Sequence, residues 1–467
     1  MSDLQITFFG GVGTVTGANF LLESLQTKLL VDCGLIQGVK ESALENKKLF
    51  PYDVKSINYL FITHAHMDHI GRVCKLVRDG FRGTIYSTPE TKELAQVMIV
   101  DAMKVMEMNY REAPLDMKEP PLYDTNDFNV TFSLWNTIPY HIQTKINDEF
   151  SVYLKDAGHI LGSSMYEFSY KNLRGPWSSK PKKIVFTGDS GNSPAPLLKD
   201  TELITDADYL IVDSVYGDRN HEPKDERDEK FRRISTETIQ ANGALVIPAF
   251  SIERTQVILY ELNNLVEEHK IPSVPIFLDS PLGSKVTAIY AHTIRDFNSG
   301  VQKEIKDGDD IFQFPKLTIT HGSRDSQDII NTPNPKIIIA GSGMSSGGRV
   351  VGHEIHFLPD PKSTILLMGY QAVGTLGRRI QDRPKEVEIK DSIIPIRARI
   401  EMISGYSSHK DSDGLVNMVS DTSKTVKKVF VVMGEPKSST FLVQRLRDEL
   451  EVDAIYPERG KVYDLSK

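Results

Sequence analysis

Short apolar runs separated by turn residues dominate the first 200 residues, and this pattern predicts β-strands. Such runs occupy residues 5–9, 19–22 and 28–32. Another apolar run, residues 59–62, is bounded by polar residues, which indicates a buried strand. We therefore expect an amino-terminal part that is rich in short strands.

One long helix is predicted after Thr88 and Pro89, because Thr is a favoured N-cap and Pro is favoured in the first helical turn. Apolar residues then recur at helical spacing, which predicts a buried stripe. The stripe consists of Leu94, Val97, Met98, Ala102 and Val105. The charged, proline-containing segment 108–127 is expected to be an exposed excursion.

Beyond residue 206 the pattern changes, and strand-like segments alternate with helical ones. Residues 209–212 and 244–247 are typical of strands, and residues 253–268 are typical of a helix. The end of the chain repeats the alternation once, with a strand at 428–433 and a helix at 438–450. Alternation of this kind is typical of a parallel α/β sheet. Because 467 residues exceed what one core usually organises, we expect two domains.

The composition is that of a soluble globular protein, since 40% of the residues are hydrophobic and 25% are charged. No apolar run is long enough to span a bilayer, and residues 1–5 lack the features of a secretory signal. Two cysteines, Cys33 and Cys74, do not suggest a disulfide framework, so we expect a cytoplasmic protein without a membrane partner. With a net charge of −8, a polyanionic substrate would need metal ions and a local basic cleft.

The candidate chemistry is concentrated in residues 63–69, directly after the strand predicted at 59–62. Three imidazoles and one carboxylate lie within six consecutive positions there. These are the ligands that a catalytic zinc takes when it keeps one position open for water. His64 and His66 project to the same side of an extended backbone, and Asp68 and His69 could reach a second ion. The cluster therefore predicts a metal-dependent hydrolase.

Two further candidate ligands stand where apolar runs stop. His159 lies among glycines that let the backbone pass close to a metal, and Asp189 ends the buried run that begins at residue 183. A lone residue of either type is more often structural. Beside a His-x-His-x-Asp-His cluster, we expect both to be ligands.

Together these residues resemble the metallo-β-lactamase superfamily, whose successive motifs they match in order. Asp32, before the cluster, matches a position that usually supports the site from outside the ligand shell. The resemblance implies two zinc sites, with His64, His66 and His159 at the first, Asp68 and His69 at the second, and Asp189 bridging both.

Motifs in the middle of the chain resemble the β-CASP family of RNA-processing nucleases within this superfamily. In family order they lie at residues 212–219, 248–256, 279–282, 341–349, 369–378 and 407–411. The resemblance implies an α/β fold in which residues 1–205 and 396–467 form an αββα sandwich and residues 206–395 form an inserted α/β β-CASP domain. It also implies that Asp68, Asp213 and His409 serve catalysis.

The segment 341–349 is the predicted phosphate contact. Glycine-rich turns expose N–H groups that can cradle phosphate oxygens, and arginines add forked donors. The predicted contacts are Ser345, Ser346, Gly347, Gly348, Arg349 and Arg378. The alternative is that the glycines only turn the chain and that the arginines are solvated.

Met433 departs from the family pattern, because relatives usually place a histidine there, before Gly-Glu. A thioether is a poor ligand for zinc beside hard oxygen donors. The second zinc site is therefore expected to be weaker, and manganese is an alternative ion.

Three functions stay open. The first is a zinc-dependent ribonuclease of RNA processing or decay, with single-stranded RNA as substrate and a homodimer as one possible state. The second is an RNA-binding or complex-forming relative whose catalysis is weakened, which Met433 favours. The third is a metallohydrolase of a small ester or phosphodiester. The insertion of roughly 190 residues argues against it, because a small substrate does not need a second domain over the site.

Overall fold

A computed structural model of the protein describes residues 3–38, 41–114, 118–173, 180–320 and 322–466. Its β-strands are β1 Leu4–Phe8, β2 Phe20–Ser24, β3 Lys28–Val31, β4 Tyr59–Phe61, β5 Thr84–Ser87, β6 Trp135–Thr137, β7 Thr144–Lys145, β8 Phe150–Asp156, β9 Ser164–Tyr170, β10 Lys182–Phe186, β11 Tyr209–Asp213, β12 Ala244–Pro248, β13 Ile276–Asp279, β14 Leu317–Ile319, β15 Lys336–Ala340, β16 Thr364–Met368, β17 Glu386–Ile389, β18 Ser392–Pro395, β19 Arg399–Ile403, β20 Lys428–Val432, β21 Ala454–Ile455 and β22 Val462–Asp464.

The α-helices are α1 Ser42–Lys47, α2 Met67–Ile70, α3 Val73–Arg78, α4 Pro89–Glu112, α5 Thr125–Ser133, α6 Lys224–Gln240, α7 Arg254–Glu267, α8 Pro281–His292, α9 Ser299–Lys306, α10 Ser323–Asn331, α11 Val350–Phe357, α12 Leu376–Gln381, α13 Ser412–Ser420 and α14 Pro436–Leu450. In the described residues, 3₁₀ turns lie at Val54–Ser56 and Ile294–Asp296. Among the helices in the described part of the chain, none combines the length and the hydropathy that spanning a bilayer requires.

The chain divides into two compact units. The sandwich unit comprises Met1–Ala195, Lys199–Asn220 and His409–Lys467, and the parallel-sheet unit comprises Pro196–Leu198 and His221–Ser408. The domain boundaries predicted at 205 and 395 stay predictions.

The sandwich unit contains two seven-stranded mixed sheets, in the orders β22-β1-β2-β3-β4-β5-β6 and β21-β20-β11-β10-β9-β8-β7. Side chains from both sheets form one core rich in aromatic residues, in which Phe8 of β1 contacts Phe430 of β20. Helices α13 and α14 cover the outer face of the second sheet through Leu415 and Leu442, and α4 contacts β6 of the first sheet. This arrangement confirms the predicted αββα sandwich.

Helix α4 confirms the predicted start but not the whole predicted stripe. The Thr88 side chain accepts a hydrogen bond from the N–H of Thr91, as an N-cap does. Leu94 is buried, whereas Val105 is 45% exposed, because the last turns of the helix leave the body of the unit. The helix also continues to Glu112, so the expected excursion at 108–127 begins later than predicted, and residues 115–117 lie outside the described part.

The parallel-sheet unit is built on a six-stranded sheet in the order β14-β13-β15-β12-β16-β19, in which every strand pair is parallel. Strands β12, β15 and β16 are buried at every residue, as expected for strands covered on both faces. Because the strands are parallel, the loops after β12, β15 and β16 emerge at one edge. The chain reverses its direction of winding beside β12, and ligands of open α/β sheets usually bind at such an edge.

Candidate metal centre and phosphate turn

The candidate metal ligands follow the ends of strands in both sheets of the sandwich unit. The cluster at 64–69 follows β4, which pairs in parallel with β3, and Asp32 directly follows β3. Asp189 follows β10, which pairs in parallel with β11, and Asp213 ends β11. Neighbouring parallel strands end at the same edge of a sheet, and the two sheets share one core, so these side chains come together although they are far apart in sequence.

Four of the predicted ligand atoms surround one small space. The Nδ1 atom of His66 lies 3.1 Å from His64 Nε2 and 3.2 Å from His159 Nε2. Asp189 Oδ2 lies 3.6 Å from His64 Nε2 and 3.7 Å from His159 Nε2. Tetrahedral zinc with bonds of about 2.0–2.1 Å separates its ligand atoms by roughly 3.3 Å. The donor set therefore fits a divalent cation.

A second group shares Asp189 with the first and adds Asp68 and His69. His69 Nε2 lies 3.4 Å from Asp189 Oδ1 and 3.9 Å from Asp68 Oδ2. Within the described residues, neither His69 Nε2 nor Asp189 Oδ1 makes a hydrogen bond, although both atoms are buried. Buried polar atoms are rarely left unpaired, so this geometry also fits a cation.

Asp32 and Thr63 hold the ligand rings in place. His69 Nδ1 donates to Asp32 Oδ2 over 2.7 Å, and Thr63 donates to Asp32 from its N–H and its hydroxyl, each over 2.8 Å. The Thr63 hydroxyl oxygen also lies 3.0 Å from His64 Nδ1. These contacts leave Nε2 of both rings for a metal. The sequence argument assigned no role to Thr63, although its position directly before His64 was a signal.

The histidines of the two ligand groups have pKa values shifted in opposite directions. Burial lowers the pKa of His64 and His66, and the neighbouring imidazoles lower it further, so both rings are neutral as metal ligands must be. Burial alone would lower the pKa of His69, but the Asp189 and Asp32 carboxylates outweigh it and raise the pKa well above its usual value. Without a cation, these carboxylates therefore favour the protonated form of His69.

A third group joins Asp189 to the two remaining catalytic candidates, Asp213 and His409. His409 Nδ1 lies 3.9 Å from Asp189 Oδ2, and Asp213 Oδ1 accepts the N–H of Ser190 over 3.1 Å. Burial raises the pKa of Asp213, and the Asp189 charge raises it further. The buried Lys410 has a pKa that burial lowers and that the charge of Asp213 raises in part. Sequence analysis gave Lys410 no role, although it directly follows His409.

Met433 lies in the core beside the second group. A Cβ atom added to Gly11 would stand 2.5 Å from the Met433 sulfur, which shows how closely the thioether packs against that backbone. Met433, His69 and Asp32 line one cavity of about 10 Å³, whose other walls are mostly apolar. The residue is therefore next to the second group but contributes no nitrogen or oxygen donor to it.

Met433→His is expected to tighten the binding of an ion in the second group, because an imidazole would supply a further donor at this wall. We expect an affinity gain of about tenfold or more, the scale on which partners of metal ligands act. Isothermal titration calorimetry with the metal measures this affinity. Met433→Leu is the control, because leucine has a similar size and no donor atom. Equal affinities for both variants would show that position 433 does not reach the metal.

The phosphate candidates lie in the parallel-sheet unit, on the turn after β15. Ser345 has a φ of 56° and Gly348 a φ of 72°, so the turn has left-handed backbone at both residues. Among the described residues, the N–H groups of Gly347 and Gly348 donate no hydrogen bond. Successive free N–H groups in such a turn form an anion-binding nest. The exposed Ser346 lies beside them.

The other phosphate candidates are partly engaged with the protein itself. The buried Ser345 hydroxyl contacts the Glu354 carboxyl. Arg349 Nη1 donates to Asp279 Oδ1 over 2.6 Å, and Asp279 Oδ2 also accepts from His353 Nε2 over 2.7 Å. Arg378 lies on α12, where its Nε is 3.5 Å from an Asp382 oxygen and its side chain is 39% exposed. Ser345 therefore shapes the turn, whereas Arg378 presents its guanidinium to solvent.

Glu354→Gln is expected to flatten the pH dependence of stability. Burial raises the pKa of Glu354 from 4.5 to about 8. Between these values the folded state holds a proton that the unfolded state has lost, so stability falls as pH rises, by about 1.4 kcal/mol per pH unit. Urea unfolding at pH 5, 6 and 7 should show a growing advantage of Glu354→Gln over wild type.

The matched control for this measurement is Glu388→Gln, which changes an exposed carboxyl of the same unit. The difference in free energy of unfolding between Glu388→Gln and wild type should not grow between pH 5 and pH 7. A Glu354→Gln advantage that is equally constant would show that the folded protein ionises Glu354 like an exposed residue.

Comparison with known families gives three matches along the chain. Residues 21–174 match the metallo-beta-lactamase superfamily domain, and residues 255–380 match the Beta-Casp domain. Residues 393–457 match the Zn-dependent metallo-hydrolase RNA specificity domain.

Similar proteins cover nearly the whole chain. Ribonuclease TTHA0252 of Thermus thermophilus is 32% identical over 423 residues, which are 91% of this chain and 92% of that protein. Transcription termination factor FttA of Methanosarcina mazei is 29% identical, over 96% of this chain and 70% of that protein. A crystal structure of a protein of unknown function from Enterococcus faecalis V583 covers 99% of this chain and 100% of its own, with a TM-score of 0.51 and 13% identity, and it supports the fold alone.

Proposed function

This chain belongs to the β-CASP family of the metallo-β-lactamase superfamily, and from that premise we propose that it is a zinc-dependent ribonuclease. Its substrate would be single-stranded RNA, whose phosphodiester bonds it would hydrolyse in RNA processing or decay. A cytoplasmic location and a homodimer belong to the same proposal.

The observation that carries the proposal is the convergence of ligand atoms on Asp189. Its two oxygens lie 3.4 to 3.7 Å from imidazole nitrogens of three different histidines. Divalent ions held by these residues would suit the in-line displacement of a phosphodiester. The name of the Thermus relative, a ribonuclease, supports RNA as the substrate class.

The candidate ligands would hold two zinc ions. His64, His66 and His159 would hold the first zinc, Asp68 and His69 the second, and Asp189 both. When bound, zinc would supply a hydroxide nucleophile near neutral pH and offset negative charge on the phosphoryl oxygens.

Asp68 is 20% exposed, so it would be able to orient the attacking water as well as hold metal. As the new P–O bond forms, the bond to the leaving oxygen breaks, and His409 would give that oxygen a proton. Asp213, through the Ser190 N–H, would hold the backbone beside Asp189. The nest at Gly347 and Gly348 would hold a phosphate of the RNA.

A labelled single-stranded RNA tests the proposal directly. Wild type with zinc or manganese is expected to shorten a 5′-labelled RNA, and the product lengths distinguish internal from terminal cleavage. Unlabelled RNA should also inhibit hydrolysis of a chromogenic phosphodiester. Hydrolysis of that small ester without inhibition by RNA would favour a small-molecule hydrolase.

Met433 supports one alternative, an RNA-binding relative with weakened catalysis. The buried thioether takes the place of a usual family ligand, so the second group depends on Asp68, His69 and Asp189 alone. RNA that is bound but not cut, with either metal, would decide for this alternative.

A further inference from the structure

Three loops of the parallel-sheet unit meet at Gly343, in the phosphate turn. Gln371, in the loop after β16, donates from Nε2 to the Gly343 carbonyl oxygen over 3.1 Å. The Gly377 N–H donates to the carbonyl of Met344 over 3.0 Å. Phe250, in the loop after β12, packs against Gly343 itself. The turn is thus braced by both neighbouring loops.

The Phe250 ring lies directly against the Gly343 backbone. A Cβ atom added to Gly343 would stand 2.6 Å from Phe250 Cδ2 and 2.8 Å from Cγ and Cε2, so any larger residue would displace the ring. The Phe250 backbone is fixed as well, because its carbonyl accepts from the N–H of Thr255 over 3.1 Å and from the Thr255 hydroxyl over 2.7 Å. The ring therefore packs against main-chain atoms of Gly343, and the Phe250 backbone is anchored by Thr255.

Phe250 is nevertheless 36% exposed, at the edge of the sheet where ligands are expected. Val373, in the loop after β16, is 62% exposed at the same edge. Scattered exposed apolar residues are ordinary on protein surfaces. An aromatic ring that packs against a turn whose Gly347 and Gly348 N–H groups donate no hydrogen bond within the described residues is different, because it sets a flat apolar surface beside a candidate anion site.

We propose that Phe250 is a stacking platform for one nucleobase of the RNA whose phosphate occupies the adjacent turn. The proposal rests on the ribonuclease function proposed above and adds a specificity residue to it. A nucleotide presents a planar base and a charged phosphate side by side, and Phe250 with Gly347 and Gly348 presents the matching pair. Stacking on an aromatic ring accepts any base, which suits binding of single strands without strict sequence preference.

A cycle of two changes tests the platform, one in the protein and one in the RNA. RNAs with a single abasic position, moved along the strand, are hydrolysed by the metal-loaded wild type and by Phe250→Ala. Phe250→Ala should lower kcat/KM for intact RNA by about 5- to 150-fold, the range found for one stacked base. One abasic position should cost wild type a similar factor and cost Phe250→Ala nothing more.

Two controls separate stacking from misfolding. Phe250→Trp keeps an aromatic surface and should retain most of the wild-type kcat/KM for RNA. Methyl 4-nitrophenyl phosphate has no base, so its hydrolysis should be the same for wild type and Phe250→Ala. A loss of that small-ester activity in Phe250→Ala would overturn the platform in favour of a structural role.

Equal sensitivity of both proteins to every abasic position would also overturn the platform, while RNA cleavage by wild type would leave the ribonuclease proposal standing. If wild type cuts no RNA, the ribonuclease proposal fails. The same cycle measured on Kd by fluorescence anisotropy then decides the platform, with the same expected fold-changes, and absence of any RNA binding overturns it.

Discussion

Asp189→Asn is expected to lower RNA cleavage by at least about 10³-fold, because metal ions supply several kcal/mol of the transition-state stabilisation and each 1.36 kcal/mol is a factor of ten. Asp189 is the residue that all three candidate ligand groups share. Asparagine keeps the size of the side chain but removes the charge, and it presents an amide nitrogen where a carboxylate oxygen stands. The bound metal, measured by plasma mass spectrometry after gel filtration, should fall together with the cleavage rate.

Asp148→Asn is the matched control, since it makes the same change in the same unit on a side chain that is 79% exposed. It should keep wild-type cleavage and metal content. If Asp189→Asn retained more than a tenth of the wild-type cleavage rate with its metal bound, the catalytic centre would have to lie elsewhere.

The grouping of the candidate metal ligands could be anticipated from the sequence because these residues follow the ends of strands. The cluster at 64–69 follows β4, and Asp189 follows β10, so the local pattern of apolar runs located each of them. Strand pairing between distant segments, such as β3 with β4 and β10 with β11, sets where the strands end within each sheet, and the shared core of the two sheets brings these ends together. Periodicity carries no signal for such pairing, and the family resemblance supplied the sheet order.

Side-chain direction was the part that the sequence could not supply. Ser345 was expected to contact phosphate as part of a turn that exposes N–H groups, and its hydroxyl instead contacts the buried Glu354 carboxyl. Arg349 was expected to be a free donor, but Asp279 already binds one of its nitrogens. The sequence spacing of Ser345 and Glu354 did not indicate this contact. The phosphate turn is therefore better described by its N–H groups than by its hydroxyl groups.

Phe250 and Met433 show a second limit of the sequence, which did not predict how far each side chain is buried. Both are apolar residues inside motifs, and their sequence context alone did not distinguish a core role from a role at a site. Met433 is buried in the wall of the cavity that His69 also lines. Phe250 packs against Gly343, and 36% of its surface is exposed. Only burial and neighbours, which depend on the fold, separate the two cases.

His409→Ala is expected to lower kcat for RNA by about 10²- to 10⁴-fold, the usual contribution of a general acid or base. The His409 ring is close to the first ligand group, with its centroid 4.6 Å from that of His159. Its Nδ1 is 3.9 Å from Asp189 Oδ2. The Nε2 atoms of His64 and His159 are closer to that oxygen, and His69 Nε2 is closer to Asp189 Oδ1. His409 is also 21% exposed, whereas His64 and His159 are fully buried.

A proton donor must reach the substrate, and this position suits that role better than a place inside the ligand shell. The metal content of His409→Ala should therefore equal that of wild type while kcat falls, which no ligand variant can show. His141→Ala, at a ring that is 55% exposed in the same unit, should change neither quantity. Loss of metal from His409→Ala would instead make the group of Asp189, Asp213 and His409 a third ligand set, and the proton would then have to come from another residue.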